Sequence, residues 1–397
     1  MRQYVIIKKD TVKEVIEVKT LFRGGKVLQP NGSFSDRLAV LIDGDTITAV
    51  HDSDQAPAAD RVCDLQGKLL LPGLVDVHTH GRAGFDFQDA TVDQLNTMKA
   101  DYARHGVTTV FPTLASASVS DWIEAIARID ACGFDGIHLE GRYLNPTKRG
   151  AHPAHLLAPL NAEELDTVLQ KITSPCHVSA ALELDTDGNF SACARRHGAT
   201  LGLAHTMATA TETRTAMERG ATSFTHLFNA MPPLHHREGG AVSVALCGGG
   251  YGELIADGLH VCPDMIALAY RCLGRDRTVL VTDSMQGTGC PDGEYSIAGQ
   301  SVILKNGRAM TLDGVLAGST LNLWEGVQNL MRFANIPLGE AVLCATRNPA
   351  EMVGISNRVG MIEQGKRADL LIVDPRDNQI ETVIFHGKPL TEPKGAT

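Results

Sequence analysis

The sequence lacks the features that mark several large classes of protein. Its nine cysteines are an odd number and include no Cys-x-x-Cys pair, so they predict reduced thiols and a cytoplasmic protein. No uninterrupted apolar run approaches the ~18 residues of a membrane span, and the charged first 19 residues lack the apolar core of a signal peptide. A net charge of -10 argues against a nucleic-acid-binding surface, although a locally basic pocket could still bind an anionic small molecule.

The middle of the chain contains a regular alternation of short apolar runs and amphipathic stretches, several of which end in glycine. Eight runs are strand candidates: 69–80, 106–115, 136–141, 176–184, 199–208, 221–231, 252–260 and 277–285. Eight strands, each followed by a helix, predict a parallel (β/α)8 TIM-type barrel. A doubly wound open sheet is the alternative.

The two ends of the sequence differ from this middle part. Residues 17–68 and the C-terminal segment contain short β-rich pieces with turn signals, and we expect them to pair into one small β-sandwich. The predicted domains are therefore residues 1–68 and 356–397 as the two parts of the sandwich, and residues 69–355 as the catalytic barrel. Helical segments 320–335 and 338–353 are expected to complete the outer layer of the barrel.

Metal-binding side chains recur where the apolar runs stop. His78 and His80 end the first run, and residues two apart in a strand point to the same side. The tips of candidate strands three, five, six and eight supply the other groups: Glu140, His205, His226 and Asp283. Each taken alone would more often be an ordinary buried histidine or a helix cap. In a parallel barrel, however, all these tips meet at one mouth, and nitrogen with carboxylate ligands suits Zn²⁺ or Fe²⁺.

The same residues stand in motifs that resemble a known family. The runs PGLVDVHTHG and GMIEQGKRADLLIVD are similar to signatures that begin and end the fold of the amidohydrolase superfamily. Within it, HLEG, THLFNAM, HHREGG, ADGLH, TDSM and LAGST together resemble the N-acetylglucosamine-6-phosphate deacetylase family. The resemblance covers most of the chain. It implies an amide hydrolase that converts N-acetyl-D-glucosamine 6-phosphate to glucosamine 6-phosphate and acetate, in amino sugar catabolism.

The resemblance also implies roles for single residues. Glu140, His205 and His226 would hold the main divalent metal, with Zn²⁺ expected first and Fe²⁺ or another first-row metal as alternatives. His78 and His80 match positions that hold a second ion in some members, so one or two ions per subunit are expected. Asp283 would take a proton from the attacking water and pass it to the leaving nitrogen, and His260 would polarise the acetyl carbonyl.

Substrate contacts follow from the same resemblance. Arg237 would clamp the phosphate, and in the family this arginine reaches across a dimer interface, so a homodimer is expected. The full set of expected substrate-binding residues is Ala151, His152, Asn229, Ala230, His236, Arg237, Asp257, Gly258, His260, Leu316, Ala317 and Gly318.

The chain departs from the family pattern near the expected substrate mouth. Arg142 stands where a proline usually follows Leu-Glu-Gly, and Gly239 replaces a proline in the Arg-Glu-Pro-Gly run. These changes bear on sugar specificity more than on chemistry. The run TDSMQGTGCPDG is also similar to enzymes that act on N-acetyl-D-galactosamine 6-phosphate, which remains the alternative substrate.

Two more distant alternatives are weaker. A cyclic amidase of the dihydroorotase type needs a lysine for carbamylation on strand four, and the run CHVSAALEL has none. A metal-free barrel scaffold would be expected to have lost ligands, yet all six metal-binding residues are present.

Overall fold

The computed structural model describes residues 18–55 and 57–390, so residues 1–17, 56 and 391–397 of the predicted sandwich lie outside it. The strands are β1 (Thr20–Arg23), β2 (Lys26–Leu28), β3 (Phe34–Ser35), β4 (Leu38–Asp43), β5 (Thr46–Asp52), β6 (Arg61–Asp64), β7 (Leu69–Pro72), β8 (Leu74–Thr79), β9 (Gly81–Arg82), β10 (Phe85–Asp86), β11 (Val107–Leu114), β12 (Ile137–Glu140), β13 (Cys176–Ala180), β14 (Thr200–Leu203), β15 (Ala221–Phe224), β16 (Tyr251–Ile255), β17 (Thr278–Val281), β18 (Gly293–Ile297), β19 (Gln300–Lys305), β20 (Arg308–Thr311), β21 (Leu370–Asp374), β22 (Gln379–Phe385) and β23 (Lys388–Pro389).

The α-helices are α1 (Val92–Arg104), α2 (Val119–Ala131), α3 (Ala162–Leu169), α4 (Asn189–Arg196), α5 (Ala210–Glu218), α6 (Gly240–Leu246), α7 (Pro263–Leu273), α8 (Leu323–Ala334), α9 (Leu338–Leu343) and α10 (Arg347–Met352). Short 3₁₀ helices occupy Ser53–Gln55, Pro146–Lys148, Ala154–Leu156 and Leu182–Leu184. Among the described residues, no helix has the length and apolar character that crossing a membrane requires.

The predicted barrel is confirmed. Strands β8 and β11 to β17 form one parallel sheet in chain order, and the first and last strands meet through a bridge between Thr79 and Ser284. A hydrogen bond from the Asp283 amide to the His78 carbonyl (2.8 Å) strengthens this closure. Helices α1 to α8 alternate with the strands and pack outside them. Helix α1 illustrates the reason for this packing: its buried Leu95, Met98 and Tyr102 recur every three or four residues and so form one apolar face.

The predicted sandwich also forms, from both ends of the described chain. One sheet has the order β5-β4-β1-β6, and the other has the order β23-β22-β21-β7-β2-β3. The C-terminal strand β21 pairs antiparallel with the N-terminal strand β7. Phe22, Ile47 and Ile372 belong to one buried apolar cluster shared by the two sheets. The two chain ends therefore build one accessory layer beside the barrel.

The predicted first strand, 69–80, is wrong as a single element. It is broken at Gly73, so that β7 joins the sandwich and β8 begins the barrel. A Cβ atom at Gly73 would lie 2.1 Å from the Thr108 hydroxyl oxygen, so the Thr108 side chain approaches too closely there for any larger residue. The division at residues 68/69 stays a prediction, and the position of β7 favours a boundary near Gly73.

Two regions differ from the sequence-based expectation. Segment 338–353 forms two short helices, α9 and α10, rather than one. Residues 293–311, for which no structure was predicted, form a three-stranded antiparallel sheet of β18, β19 and β20 beyond the last barrel strand. This small sheet holds the following loop, because the Ala317 amide donates to the Ala309 carbonyl (3.1 Å).

Candidate metal centre

The predicted ligands converge at one mouth of the barrel. His78 and Glu140 lie at the ends of β8 and β12, and the others follow their strands by one or two residues. All six, the metal-centre residues, are at most 9% exposed: His78, His80, Glu140, His205, His226 and Asp283. The donor atoms fall into two groups, each with its ligand atoms within 4.8 Å of one another.

The first group contains Glu140, His205 and His226. Glu140 Oε1 lies 2.9 Å from His226 Nε2 and 3.4 Å from His205 Nε2, and the two Nε2 atoms are 3.0 Å apart. These separations are close to the ~3.3 Å edge of a tetrahedron around Zn²⁺ with bonds of about 2.0 Å. The donor set therefore fits one tetrahedral first-row ion.

The second group contains His78, His80 and Asp283. Asp283 Oδ1 lies 3.6 Å from His78 Nε2 and 3.3 Å from His80 Nε2. The other carboxylate oxygen of Glu140, Oε2, faces the same two nitrogens at 3.3 and 3.0 Å. Glu140 thus presents one oxygen to each group, which is the arrangement of a carboxylate that bridges two ions.

The electrostatics of these residues match a cation site. Burial opposes ionisation of Asp283, but the charges of His78 and His80 outweigh it and lower the pKa of Asp283 to about 2. Burial likewise opposes protonation of His80, yet bonds to Asp283 and Glu140 raise its pKa to about 9. Burial also opposes ionisation of Glu140, but the charge of His78 and hydrogen bonds from His205 and His226 lower its pKa. A divalent ion would supply positive charge of the same sign.

Two of the four histidines are oriented through their Nδ1 atoms. His205 Nδ1 lies 2.7 Å from the Lys148 carbonyl, and His78 Nδ1 lies 3.1 Å from Glu253 Oε2. Both partners are acceptors, so Nδ1 carries the proton and Nε2 is left free to bind a metal. The residues present therefore fit a metal centre both in the spacing of their donor atoms and in the tautomers of His78 and His205.

A cavity of about 360 Å³ opens over the metal-centre residues. Eight of the expected substrate residues line it: Ala151, His152, Asn229, Ala230, His260, Leu316, Ala317 and Gly318. His260 is held by Asp257, whose Oδ2 lies 2.6 Å from its Nδ1. Burial lowers the pKa of His260, but the bond to Asp257 and its charge outweigh burial and raise it. An imidazole held by a carboxylate at one nitrogen would suit stabilisation of a developing oxyanion with the other.

Four expected substrate residues do not line this cavity: His236, Arg237, Asp257 and Gly258. Asp257 acts on the cavity through His260. Arg237 is exposed, and its guanidinium bonds to the neighbouring His236 ring at 2.7 Å. Within the described subunit, Arg237 therefore lies outside the cavity of its own chain, and its expected role across a dimer interface stays a prediction.

The cavity also contains residues that the sequence reasoning missed. Lys148 lines it and is the one lysine or arginine among the lining residues of the described chain. The sequence could have indicated Lys148 as a contact, since it lies three residues before the expected contact Ala151. Ile297 and Val315 also line the cavity, from the small sheet and its loop. Glu253 was missed as well, although a charged residue within an apolar strand run is unusual.

The comparisons with known proteins agree with this geometry. The amidohydrolase family matches residues 69–390. An N-acetylglucosamine-6-phosphate deacetylase of Vibrio furnissii is 36% identical, over 92% of this chain and 94% of its own. An N-acetylgalactosamine-6-phosphate deacetylase of Escherichia coli O157:H7 is 34% identical, over 89% of this chain and 95% of its own.

Solved structures give the same result. The N-acetylglucosamine-6-phosphate deacetylase of Pasteurella multocida superposes with a TM-score of 0.87 at 26% identity, covering 94% of this chain and all of its own. A variant of the Mycobacterium smegmatis enzyme, in complex with N-acetyl-D-glucosamine-6-phosphate, superposes with a TM-score of 0.86 at 30% identity, covering 95% and 100%. The chain therefore belongs to the amidohydrolase family and, within it, to the family of the N-acetylglucosamine-6-phosphate deacetylases.

Proposed function

We propose that this chain hydrolyses the acetamido group of N-acetyl-D-glucosamine 6-phosphate to give glucosamine 6-phosphate and acetate. One observation carries the proposal: two complete groups of metal-binding side chains share Glu140 beneath a cavity of about 360 Å³. A cavity of that size is in the usual range for a small-molecule site. The family of the chain supplies the reaction class, and the site retains every group that the reaction needs.

The metal we propose is Zn²⁺, with one or two ions per subunit. Three imidazole or carboxylate donors in each group, with nearly tetrahedral spacing in the first, favour zinc over the harder Mg²⁺ or Ca²⁺, and Fe²⁺ is the alternative. When bound, the metal supplies Lewis acidity, which acidifies water and polarises a carbonyl. We expect the group of Glu140, His205 and His226 to be the essential one.

The chain's own residues carry the proton transfers. Asp283 accepts a proton from the attacking water as the carbon–oxygen bond forms. It then delivers the proton to the amide nitrogen as the carbon–nitrogen bond breaks. His260 donates a hydrogen bond to the carbonyl oxygen while negative charge develops there, and Asp257 holds it in place.

The phosphate end of the substrate needs positive charge. Within one subunit we assign Lys148 to that role, because it is the one lysine or arginine that lines the cavity of the described chain. We further propose a homodimer in which Arg237 reaches the neighbouring cavity. Its exposure, and its position outside its own cavity, support a role in trans. Guanidinium and phosphate form paired hydrogen bonds that ammonium does not.

N-acetyl-D-galactosamine 6-phosphate is the second candidate substrate. The 34% identity of the chain to an N-acetylgalactosamine-6-phosphate deacetylase supports this candidate. The test is acetate release from both acetylated amino-sugar 6-phosphates, with metal removed by chelation and then restored. Release from neither sugar after Zn²⁺ is restored would overturn the proposed function, and preference for the galacto sugar would reassign the substrate.

We place the protein in the cytoplasm as part of the same proposal. All nine cysteines lie in the described chain, and each is a free thiol. Reduced cysteines are typical of the cytosol. Fractionation of cells with an antibody to the protein tests this placement.

A further inference from the structure

Glu253 contacts both groups of metal-binding residues although it belongs to neither. It lies in the middle of β16, inside the barrel, and its side chain has no solvent exposure. Its Oε2 accepts a hydrogen bond from His78 Nδ1 (3.1 Å) and a second from the backbone amide of His226 (3.2 Å). A single carboxylate oxygen therefore holds a ligand of the second group and a ligand of the first.

The contact with His226 supports an unusual backbone. His226 has φ of 34°, in the left-handed region that L residues other than glycine rarely adopt. The Glu253 side chain binds the His226 amide, and the Glu253 carbonyl accepts from the next amide, that of Leu227, at 2.8 Å. Glu253 thus fixes the turn that aims the His226 ring at Glu140.

The contact with His78 fixes a tautomer. A carboxylate accepts hydrogen bonds, so the bond to Glu253 places a proton on His78 Nδ1 and leaves Nε2 as the nitrogen that would bind a metal. His205 is oriented by a carbonyl instead, which has no charge. A carboxylate partner makes an imidazole a stronger metal ligand than a carbonyl partner does.

The hydrogen bonds of Glu253 are concentrated on one oxygen. Its Oε1 has no hydrogen-bond partner, and His177 Nε2 lies 3.7 Å from it, beyond hydrogen-bond distance. Burying a carboxylate in this way is costly unless its partners require it. The structure offers the two metal ligands as those partners.

We infer that Glu253 is a positioning residue that links the two metal groups, fixing the His78 tautomer by its charge and the His226 turn by its geometry. The inference rests on the metal-dependent site of the proposed function. The variant Glu253→Gln separates the effect of charge from the effect of geometry, because glutamine keeps an acceptor oxygen for both bonds but has no charge.

The test measures Zn²⁺ bound at buffered free concentrations in the full chain. In a His205→Gln background, which leaves the His78 group complete, Glu253→Gln should weaken binding ~10-fold and Glu253→Leu ~100-fold. In a His80→Gln background, which leaves the Glu140, His205 and His226 group, Glu253→Gln should bind normally and Glu253→Leu should weaken binding. Ser223→Ala is the matched control, since that buried hydroxyl has no hydrogen-bond partner among the described residues and should have no effect.

Two further readouts separate positioning from a merely structural role. A downfield imidazole N–H resonance that disappears in His78→Asn should shift in Glu253→Gln and vanish in Glu253→Leu, while the thermal midpoint of metal-free Glu253→Gln stays at the wild-type value. Wild-type zinc affinity in Glu253→Gln and Glu253→Leu would overturn the inference, as would a wild-type protein that binds no divalent ion. A wild type that binds Zn²⁺ but releases no acetate would overturn the proposed function alone.

Discussion

Several residues of the site have left-handed backbones. Arg142, His205, His226 and Asp283 have φ between 34° and 49°. Such conformations cost about 1–3 kcal/mol each and persist only where surrounding bonds enforce them. Here the bonds are visible, since the Asp283 amide binds the His78 carbonyl and the His205 carbonyl accepts from the Asn145 amide at 3.0 Å. Strands β14, β15 and β17 each end two residues before the functional residue, and the left-handed turn directs that side chain into the mouth.

Asp283 is the residue whose loss should affect chemistry most directly. Asp283→Asn removes the group that accepts and donates the proton, so we expect kcat to fall ~10²–10⁴-fold. Metal should stay bound to the group of Glu140, His205 and His226. Acetate release and metal analysis of the same sample check both statements. Turnover within tenfold of wild type would contradict the assigned role.

Glu140 should matter to both groups, because it presents an oxygen to each. Glu140→Gln should therefore lower zinc occupancy of both groups, whereas His205→Gln should lower that of the first alone. Replacing His78 and His80 together should reduce activity without abolishing it if the first group holds the essential ion. The number of zinc ions per subunit, measured after dialysis, tests these expected occupancies. Full occupancy in Glu140→Gln would refute the shared carboxylate.

The ligands could be predicted from sequence, but their supports could not. His78, His205 and Asp283 can be recognised in the sequence because they are polar residues at the ends of apolar runs. Glu253 lies inside such a run, and its role depends on contacts with residues 175 and 27 positions away in sequence. A charged residue in a buried strand signals that some partner exists, without identifying it.

At the scale of elements, the barrel strands were predictable in number and order because their cores are continuous apolar runs. Their ends were not, since candidate strands such as 199–208 and 221–231 continue as apolar sequence past the left-handed turns. The sheet of β18, β19 and β20 was missed because it lies beyond the eighth barrel strand and outside the alternating pattern. That sheet nevertheless presents Leu316, Ala317 and Gly318 to the cavity.

The loop after β20 offers a test of how closely its position is fixed. A Cβ at Gly318 would lie 3.1 Å from the Asp283 carbonyl oxygen and 3.0 Å from Met285 Cβ, and Gly318 has φ of +69°. Gly318→Ala should therefore shift Asp283 and lower kcat/KM ~10-fold or more. Gly314→Ala is the control, since Gly314 has φ of +85° but nothing within 4 Å of the added atom. Equal activity of the two variants would show that the loop does not position Asp283.

At the scale of the whole molecule, Arg367 joins the sandwich to the barrel. Its guanidinium binds Asp369 on its own side, and Asp135, the Thr108 carbonyl (3.0 Å) and the Thr109 hydroxyl (2.7 Å) on the barrel side. Arg367→Ala would leave two mostly buried carboxylates without their partner, so we expect a loss of up to about 3 kcal/mol in the free energy of unfolding. Urea denaturation measures it.

The control for this prediction is Arg376→Ala. Arg376 also pairs with an aspartate, the buried Asp374, but its own side chain is 85% exposed, and no bond to the barrel is found for it among the described residues. An ion pair whose cation stays in solvent contributes less than a buried one, so its urea midpoint should fall less than that of Arg367→Ala. A similar shift in both variants would mean that Arg367 acts as an ordinary surface residue and not as an interdomain contact.

The proposed homodimer concerns the whole molecule. A residue that acts on the neighbouring subunit does not line the cavity of its own subunit. Arg237 is exposed and outside its own cavity, and Lys148 is the one lysine or arginine that lines that cavity in the described chain. If Arg237 serves the neighbouring site, Arg237→Ala should raise KM strongly for the phosphorylated sugar and barely change the weak hydrolysis of the unphosphorylated one. The expected loss is ~2–5 kcal/mol, as for unpairing a buried charge.

Mixing two inactive variants distinguishes action in trans from action in cis. Arg237→Ala and Asp283→Asn subunits, exchanged at random, give mixed dimers in half of all cases, and one of the two sites in each mixed dimer has both residues intact. Activity should therefore recover to about a quarter of the wild-type value. Arg237→Ala mixed with itself provides the baseline. If subunit exchange is demonstrated by mass labelling and no activity returns, Arg237 acts within its own chain or plays no part in binding phosphate.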